Sequence, residues 1–150
     1  MKRQEPTIYS NRIPGEETMH DSRTQPKTRV LMMPRDTNSE GTIFGGVILS
    51  YIDQAGAEEA RCHGAERVVT VAMKEVVFLQ PVFVGDLVSF FTELVRVGRT
   101  SITVRVMVTA ARRWDRAEEA EVTEAEITYV NIDADHRPTP LKSPTSSNND

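Results

Sequence analysis

The chain has very little cysteine and histidine. Its one cysteine, Cys62, excludes an intramolecular disulfide and a thiolate zinc site. Three scattered histidines, His20, His63 and His136, make a histidine-based metal site improbable on spacing alone. No apolar run approaches the ~18 residues of a membrane span, and the basic start is not followed by the apolar stretch of a secretory signal. Basic residues are outnumbered, 18 to 22, which disfavours duplex nucleic acid as the main partner. These absences point to a soluble cytoplasmic protein, with no nucleic-acid or membrane partner.

What is present is an ordinary globular composition in 150 residues, enough for one domain with tails. Residues 1–27 are polar and proline-punctuated and read as a flexible arm. Residues 133–150 carry Pro138, Pro140 and Pro144 and read as a second tail. The folded part is expected over 28–132. Within it, Thr28–Met33 reads as a short strand. Val47–His63 reads as a helix, with Ile48, Ile52 and Ala55 on one face, stopped at Gly64. Val68–Leu79, Leu87–Val97, Thr100–Arg113 and Glu121–Ile132 read as further strands. In Thr100–Arg113, Ile102, Val104, Val106, Val108 and Ala110 share one face. In the last strand, Val122, Val130 and Ile132 are expected to share one. Short connections imply antiparallel pairing. The simplest arrangement is an α+β fold, a five-stranded antiparallel sheet curled around one long helix. The small residues Ala55, Gly56, Ala57 and Ala60 suggest a tightly enclosed site along that helix.

The informative stretch runs from Met33 to Asp53, where a polar loop enters a Gly45-Gly46 pair and the helix begins. Free amides at a helix start attract negative charge, and glycine lets a substrate approach them closely. The pair suits an oxyanion as well as it suits a simple turn, but a P-loop is excluded by the missing Lys-Ser/Thr. Asp53 lies farther along, beside apolar helix positions. A carboxylate there is either functional or hydrogen-bonded at the helix edge. Eight residues separate it from Gly45, roughly 12 Å along a helix. One chain therefore does not bring both to one reacting carbon, whereas two antiparallel helices of a dimer do. Cys62-His63 cannot form a dyad from adjacent helix positions. Asp36 reads as a turn residue rather than as part of an acidic cluster with Glu40 and Asp53, and Arg112-Arg113-Trp114 as a solvated strand end.

The sequence resembles the hotdog-fold acyl-CoA thioesterases, in particular the YciA-type and cytosolic acyl-CoA hydrolase group. The resemblance rests on Pro34, Asp36-Thr37-Asn38, Gly41-Thr42-Ile43-Phe44-Gly45-Gly46 and Asp53. It continues through Val68-Val69-Thr70-Val71-Ala72, Phe78-Leu79-Gln80-Pro81-Val82, Val84-Gly85-Asp86 and Val97-Gly98-Arg99-Thr100-Ser101-Ile102, and covers about residues 28–132. It implies hydrolysis of acyl-CoA to a carboxylic acid and CoA, with no cofactor and no metal. Asp53 would be the catalytic base or nucleophile. Asn38 would help hold the water or the thioester, and the amides of Gly45 and Gly46 would polarise the carbonyl. Phe44 and Thr70 would line the substrate site, and Arg99 and Ser101 would meet CoA. Relatives share active sites across a homodimer, often within a trimer of dimers. This chain departs from some YciA-type members at Thr42, where they have Asp, and at Val47, where they have Trp. Two other readings compete: an acyl-CoA-binding sensor without activity, and a hydratase or dehydratase. The second is disfavoured because no histidine lies in the loop or in the helix before position 63.

Overall fold

The computed structural model describes residues 25–143; most of the expected N-terminal arm and the last seven residues lie outside that range. Five strands and one helix follow in the order β1 (Thr28–Leu31), α1 (Gly45–Arg61), β2 (Val68–Met73), β3 (Leu87–Val97), β4 (Ser101–Ala111) and β5 (Glu119–Asn131). The strands form one antiparallel sheet in the order β1-β3-β4-β5-β2. The long strands β3, β4 and β5 make its centre, and the short β1 and β2 are its two edges.

The core lies between α1 and one face of this sheet. Ile48, Ile52, Ala55 and Ala60 of the helix are buried, as are Ile102, Val104, Val106, Val108 and Ala110 of β4. The strand period of two and the helical period of 3.6 thus present two apolar surfaces to each other, as the sequence pattern requires. Full burial of one such aliphatic side chain is worth about 1.5–3 kcal/mol. The sheet and single helix are the predicted α+β hotdog arrangement.

Several expectations are corrected. The second strand ends at Met73 rather than Leu79. Beyond it the chain is tied to β5 by isolated bonds, among them Lys74 N–H to Glu126 O, Lys74 Nζ to Glu126 Oε1, Thr123 Oγ1 to Val77 O, and Leu79 N–H to Val122 O. It then leaves the edge to cross the start of α1, since Pro81 cannot donate to a ladder. In β5, Val122 and Val130 do not share a face. The register shifts between Val108/Thr123 and Thr109/Glu121, so one extra residue reverses the alternation. The buried set after that shift is Ala125, Ile127 and Tyr129.

The Arg112-Arg113-Trp114 strand end is not simply solvated. The Arg112 guanidinium is buried, donates to Asp86 Oδ2 at 2.7 Å and to Pro81 O at 2.9 Å, and lies over the rings of Phe83 and Trp114. Asp86 is itself wholly buried and accepts the amides of Phe83 and Arg113. Residues 133–143, expected within a tail, are laid across the domain. Thr139 N–H bonds Asn131 O, Leu141 N–H bonds Arg99 O and Lys142 N–H bonds Gly64 O.

Candidate functional site

The loop before α1 is closed by its own polar groups. Asp36 Oδ2 accepts the Met33 amide at 2.9 Å, which is the turn role expected of it. Asn38 Oδ1 accepts the amides of Glu40 and Thr42, while its Nδ2 donates to Thr42 Oγ1 at 2.8 Å. Gly41 takes a positive φ of 82° within that turn. Thr42 therefore stands where it completes the Asn38 loop. Ile43 N–H then bonds Val82 O, and Phe44 N–H bonds Asp36 O. The entry to the helix is thus tied on both sides.

Phe44 is the N-cap residue and makes no side-chain cap. Its carbonyl accepts the amides of Val47 and Ile48. Among the described residues the amides of Gly45 and Gly46 have no hydrogen-bond partner, as the first turn of an uncapped helix leaves them. Gly46 is exposed, and a β-carbon on it would meet nothing within 4 Å. A β-carbon on Gly45 would lie 3.3 Å from the ring of Phe78.

Two turns farther on, Asp53 is half-buried. Thr70 of the edge strand β2 donates its hydroxyl to Asp53 Oδ1 at 2.6 Å. Tyr129 of β5, next to Thr70 in the register, donates to the backbone carbonyl of Asp53 at 2.7 Å. Burial, with the nearby Asp53 charge behind it, pushes the Tyr129 hydroxyl well above its ordinary pKa of 10.0, so it remains a donor. Tyr129 also lies against Gly56, where any β-carbon would collide with the phenol oxygen. The small residues of α1 therefore seat the helix on the sheet; Ala55, Gly56 and Ala60 are buried there rather than lining a site.

The structure brings Thr70 to Asp53 and sets Gly45 and Gly46 at the start of the same helix. It does not bring Arg99 and Ser101 to Asp53 within one chain. In the register Ser101 pairs with Val130, and Val130 with Val69, whereas Thr70, Tyr129 and Ile102 form the adjacent row. Ser101 thus points to the sheet face opposite the helix. Arg99 lies in the β3–β4 turn, lining an open cavity of about 500 Å³ with His63, Leu141 and Lys142. Three contributors had escaped the sequence reading: Tyr129, Phe78 and Glu59. Tyr129 was detectable as a phenol in a buried apolar row. Phe78 stands in the Phe78-Leu79-Gln80-Pro81-Val82 stretch that carries the resemblance, but nothing local there places it against Gly45.

Glu59, one helix turn and a half past Asp53, is buried and holds Lys27 at 2.6 Å, His63 at 3.0 Å and Thr92 at 2.9 Å. Burial opposes its charge, but these donors outweigh burial and hold its carboxyl below the ordinary value of 4.5. Among the described residues no three His, Cys, Asp or Glu side chains converge as metal ligands. No described helix is long and apolar enough to cross a membrane.

Residues 40–113 match the thioesterase superfamily. The chain is 40% identical over 115 residues to the acyl-CoA thioester hydrolase YciA of Salmonella typhimurium, a match covering 75% of this chain and 86% of that protein. Among solved structures it is similar to a hexameric hotdog-fold thioesterase of Campylobacter jejuni, with 48% identity and a TM-score of 0.74 over 79% of this chain and 90% of the other. It is also similar to an acyl-CoA hydrolase of Staphylococcus aureus crystallised with butyryl-CoA and CoA. That match has 26% identity and a TM-score of 0.69, and covers 77% and 70% of the two chains.

Proposed function

The chain belongs to the hotdog-fold acyl-CoA thioester hydrolases, and from that premise we propose that it hydrolyses acyl-CoA to a carboxylic acid and CoA with Asp53 as its reactive carboxylate. The observation that carries the assignment is the bond from Thr70 to Asp53. One oxygen of the carboxylate is fixed at 2.6 Å, and the other is left to act. The amides of Gly45 and Gly46 receive the carbonyl oxygen as it gains negative charge. With Asp53 as base, a water oxygen bonds the carbonyl carbon while its proton passes to the carboxylate. The C–S bond then breaks, and the proton is returned to the leaving CoA sulfur. With Asp53 as nucleophile, a carboxylate oxygen bonds the carbonyl carbon and the C–S bond breaks, CoA leaving as a thiolate that takes a proton from water; a second water then cleaves the mixed anhydride to the acid and free Asp53. Single turnover in ¹⁸O-water, followed by mass analysis, tests the second route: label in the Asp53 peptide requires the anhydride.

Asn38 closes the loop that leads to the glycine pair, with its side chain bonded to Glu40 and Thr42. Phe44 is exposed at the helix entry, where it meets the acyl or pantetheine part of the substrate. Arg99 supplies positive charge for CoA phosphates, with Ser101 beside it in the chain. Because Asp53 is roughly 12 Å along the helix from Gly45, the site is shared. The carboxylate of one protomer faces the glycine amides of its partner across antiparallel helices. The exposed edge strand β2 carries Thr70 and presents Val69 and Val71 outward, which suits pairing with a second copy. Dimers built this way assemble further as a trimer of dimers.

The test is thiol release from a panel of acyl-CoAs. Asp53→Ala is expected to lower turnover by about 10²–10⁴-fold while the oligomer persists on size exclusion. Near-normal turnover in the folded variant would remove Asp53 from the chemistry.

A further inference from the structure

Phe78 is an aromatic ring held in place where the chain has no regular structure. On one side of it the Val77 carbonyl accepts the Thr123 hydroxyl at 2.8 Å, and on the other the Leu79 amide bonds Val122 O at 2.8 Å. Both anchors lie at the β5 irregularity, where the register shifts. With its neighbours' backbone pinned on both sides, Phe78 is nevertheless 42% exposed. Its edge packs over Gly45, where an added β-carbon would stand 3.3 Å from Cε2 and 3.4 Å from Cζ.

Beneath the ring is a cavity of about 250 Å³ lined by nine residues, among them Ile43, Gly45, Ile48, Leu79 and Pro81. Six of the nine carry apolar side chains, and none carries a charge. Mostly apolar side chains without a charge suit an acyl chain better than the phosphates of CoA. The volume lies below the roughly 300–1,000 Å³ of drug-sized sites, so the cavity takes a short chain. The floor is fixed independently. Val82 O holds the Ile43 amide at 2.8 Å, and the buried Arg112 holds Pro81 O at 2.9 Å.

We propose that Phe78 is the residue that determines acyl-chain preference, its ring forming the wall between the carbonyl position at Gly45 and the apolar cavity under residues 78–82. The inference rests on the thioesterase reading above and goes beyond it by naming the selecting residue and the kind of chain selected. A rigid ring at this wall favours short linear acyl groups and turns away branched and aryl ones.

The experiment measures kcat/KM for the natural chain and for Phe78→Ala across linear short, linear long, branched and aryl acyl-CoAs, with inhibition by free CoA measured alongside. Phe78→Ala is expected to raise the ratio of branched or aryl to short linear kcat/KM by about tenfold or more, the range that one or two methylenes command in an apolar pocket. Inhibition by free CoA is expected to be unchanged. An unchanged ratio, or an equal loss on every chain length, overturns the assignment. Phe78→Leu keeps the apolar contact without the ring and decides the matter if the alanine variant does not fold, with a smaller shift in the same direction expected. No thiol release by the natural chain on any substrate overturns the thioesterase reading itself, a result separate from the ratio.

Discussion

Asp53 and Glu59 stand on the same helix but meet different surroundings. Asp53 accepts one hydroxyl, from Thr70, and among the described residues its other oxygen has no hydrogen-bond partner. Glu59 is surrounded by donors from three elements: Lys27 before β1, His63 after α1 and Thr92 on β3. A reactive carboxylate needs the first arrangement; the second spends its acceptor capacity on structure. Glu59 therefore links folding to pH. Its carboxyl is held below 4.5 in the folded protein, so the ionised group stabilises the fold above its ordinary value. That contribution disappears as pH falls through the lowered one. Glu59→Gln is expected to melt well below the natural protein at pH 7, and the gap to narrow as pH drops below 4.5. Differential scanning calorimetry over pH 7 to pH 3 reads this; a gap independent of pH would leave Glu59 without an ionic role.

At the scale of elements, the position of α1 over β5 decides the geometry of the site. Ile48, Ile52 and Ala55 were legible as its buried face from spacing alone, and each is buried. The reason for Gly56 was not legible, because the atom that excludes a side chain there belongs to Tyr129. Alanine at 56 adds about 1 kcal/mol of helix propensity. It also forces apart a contact that holds the Asp53 carbonyl, and overpacking of this kind costs about 1–3 kcal/mol. Gly56→Ala is expected to be destabilised on balance by up to about 2 kcal/mol and to lose turnover, since α1 must lift from β5 and carry Asp53 away from Thr70. Gly46→Ala, where a methyl group enters open space, is expected to keep its stability. Denaturant titration at fixed protein concentration compares the two. Equal stability of Gly56→Ala and the natural chain would mean that the sheet relaxes around the methyl group.

At the scale of the whole molecule, the proposed function places the reaction between chains, because Gly45 and Asp53 of one chain stand roughly 12 Å apart along the helix. The relatives of known structure include a hexameric thioesterase, and a shared site makes a quantitative demand on any such assembly. Gly45→Pro removes one of the free amides, at the first helical position, where proline is tolerated. Asp53→Ala removes the carboxylate. Each alone is expected to be nearly inactive. Subunits of the two variants, mixed by unfolding and refolding, are expected to recover roughly a quarter of natural turnover. Half of the random dimers are mixed, and one site of each mixed dimer is intact. Recovery near zero would place the glycine amides and the carboxylate of one chain in one site.

The sequence alone determined the elements and their chemistry. The alternation Ile102 to Ala110 and the helical spacing of Ile48, Ile52 and Ala55 are local patterns, written in each residue's own side chain. So are the glycine pair at the helix start and the carboxylate within the helix. The tertiary structure alone decided which groups touch. Thr70 reaches Asp53 across 17 positions and Tyr129 reaches it across 76. The Arg112–Asp86 pair, the face reversal at Val122 and the placing of Phe78 on Gly45 all depend on strand register. A slip of one residue turns every side chain of a strand to the other face. Periodicity cannot report where an extra residue is inserted, so these contacts become visible only when the paired strands are seen together.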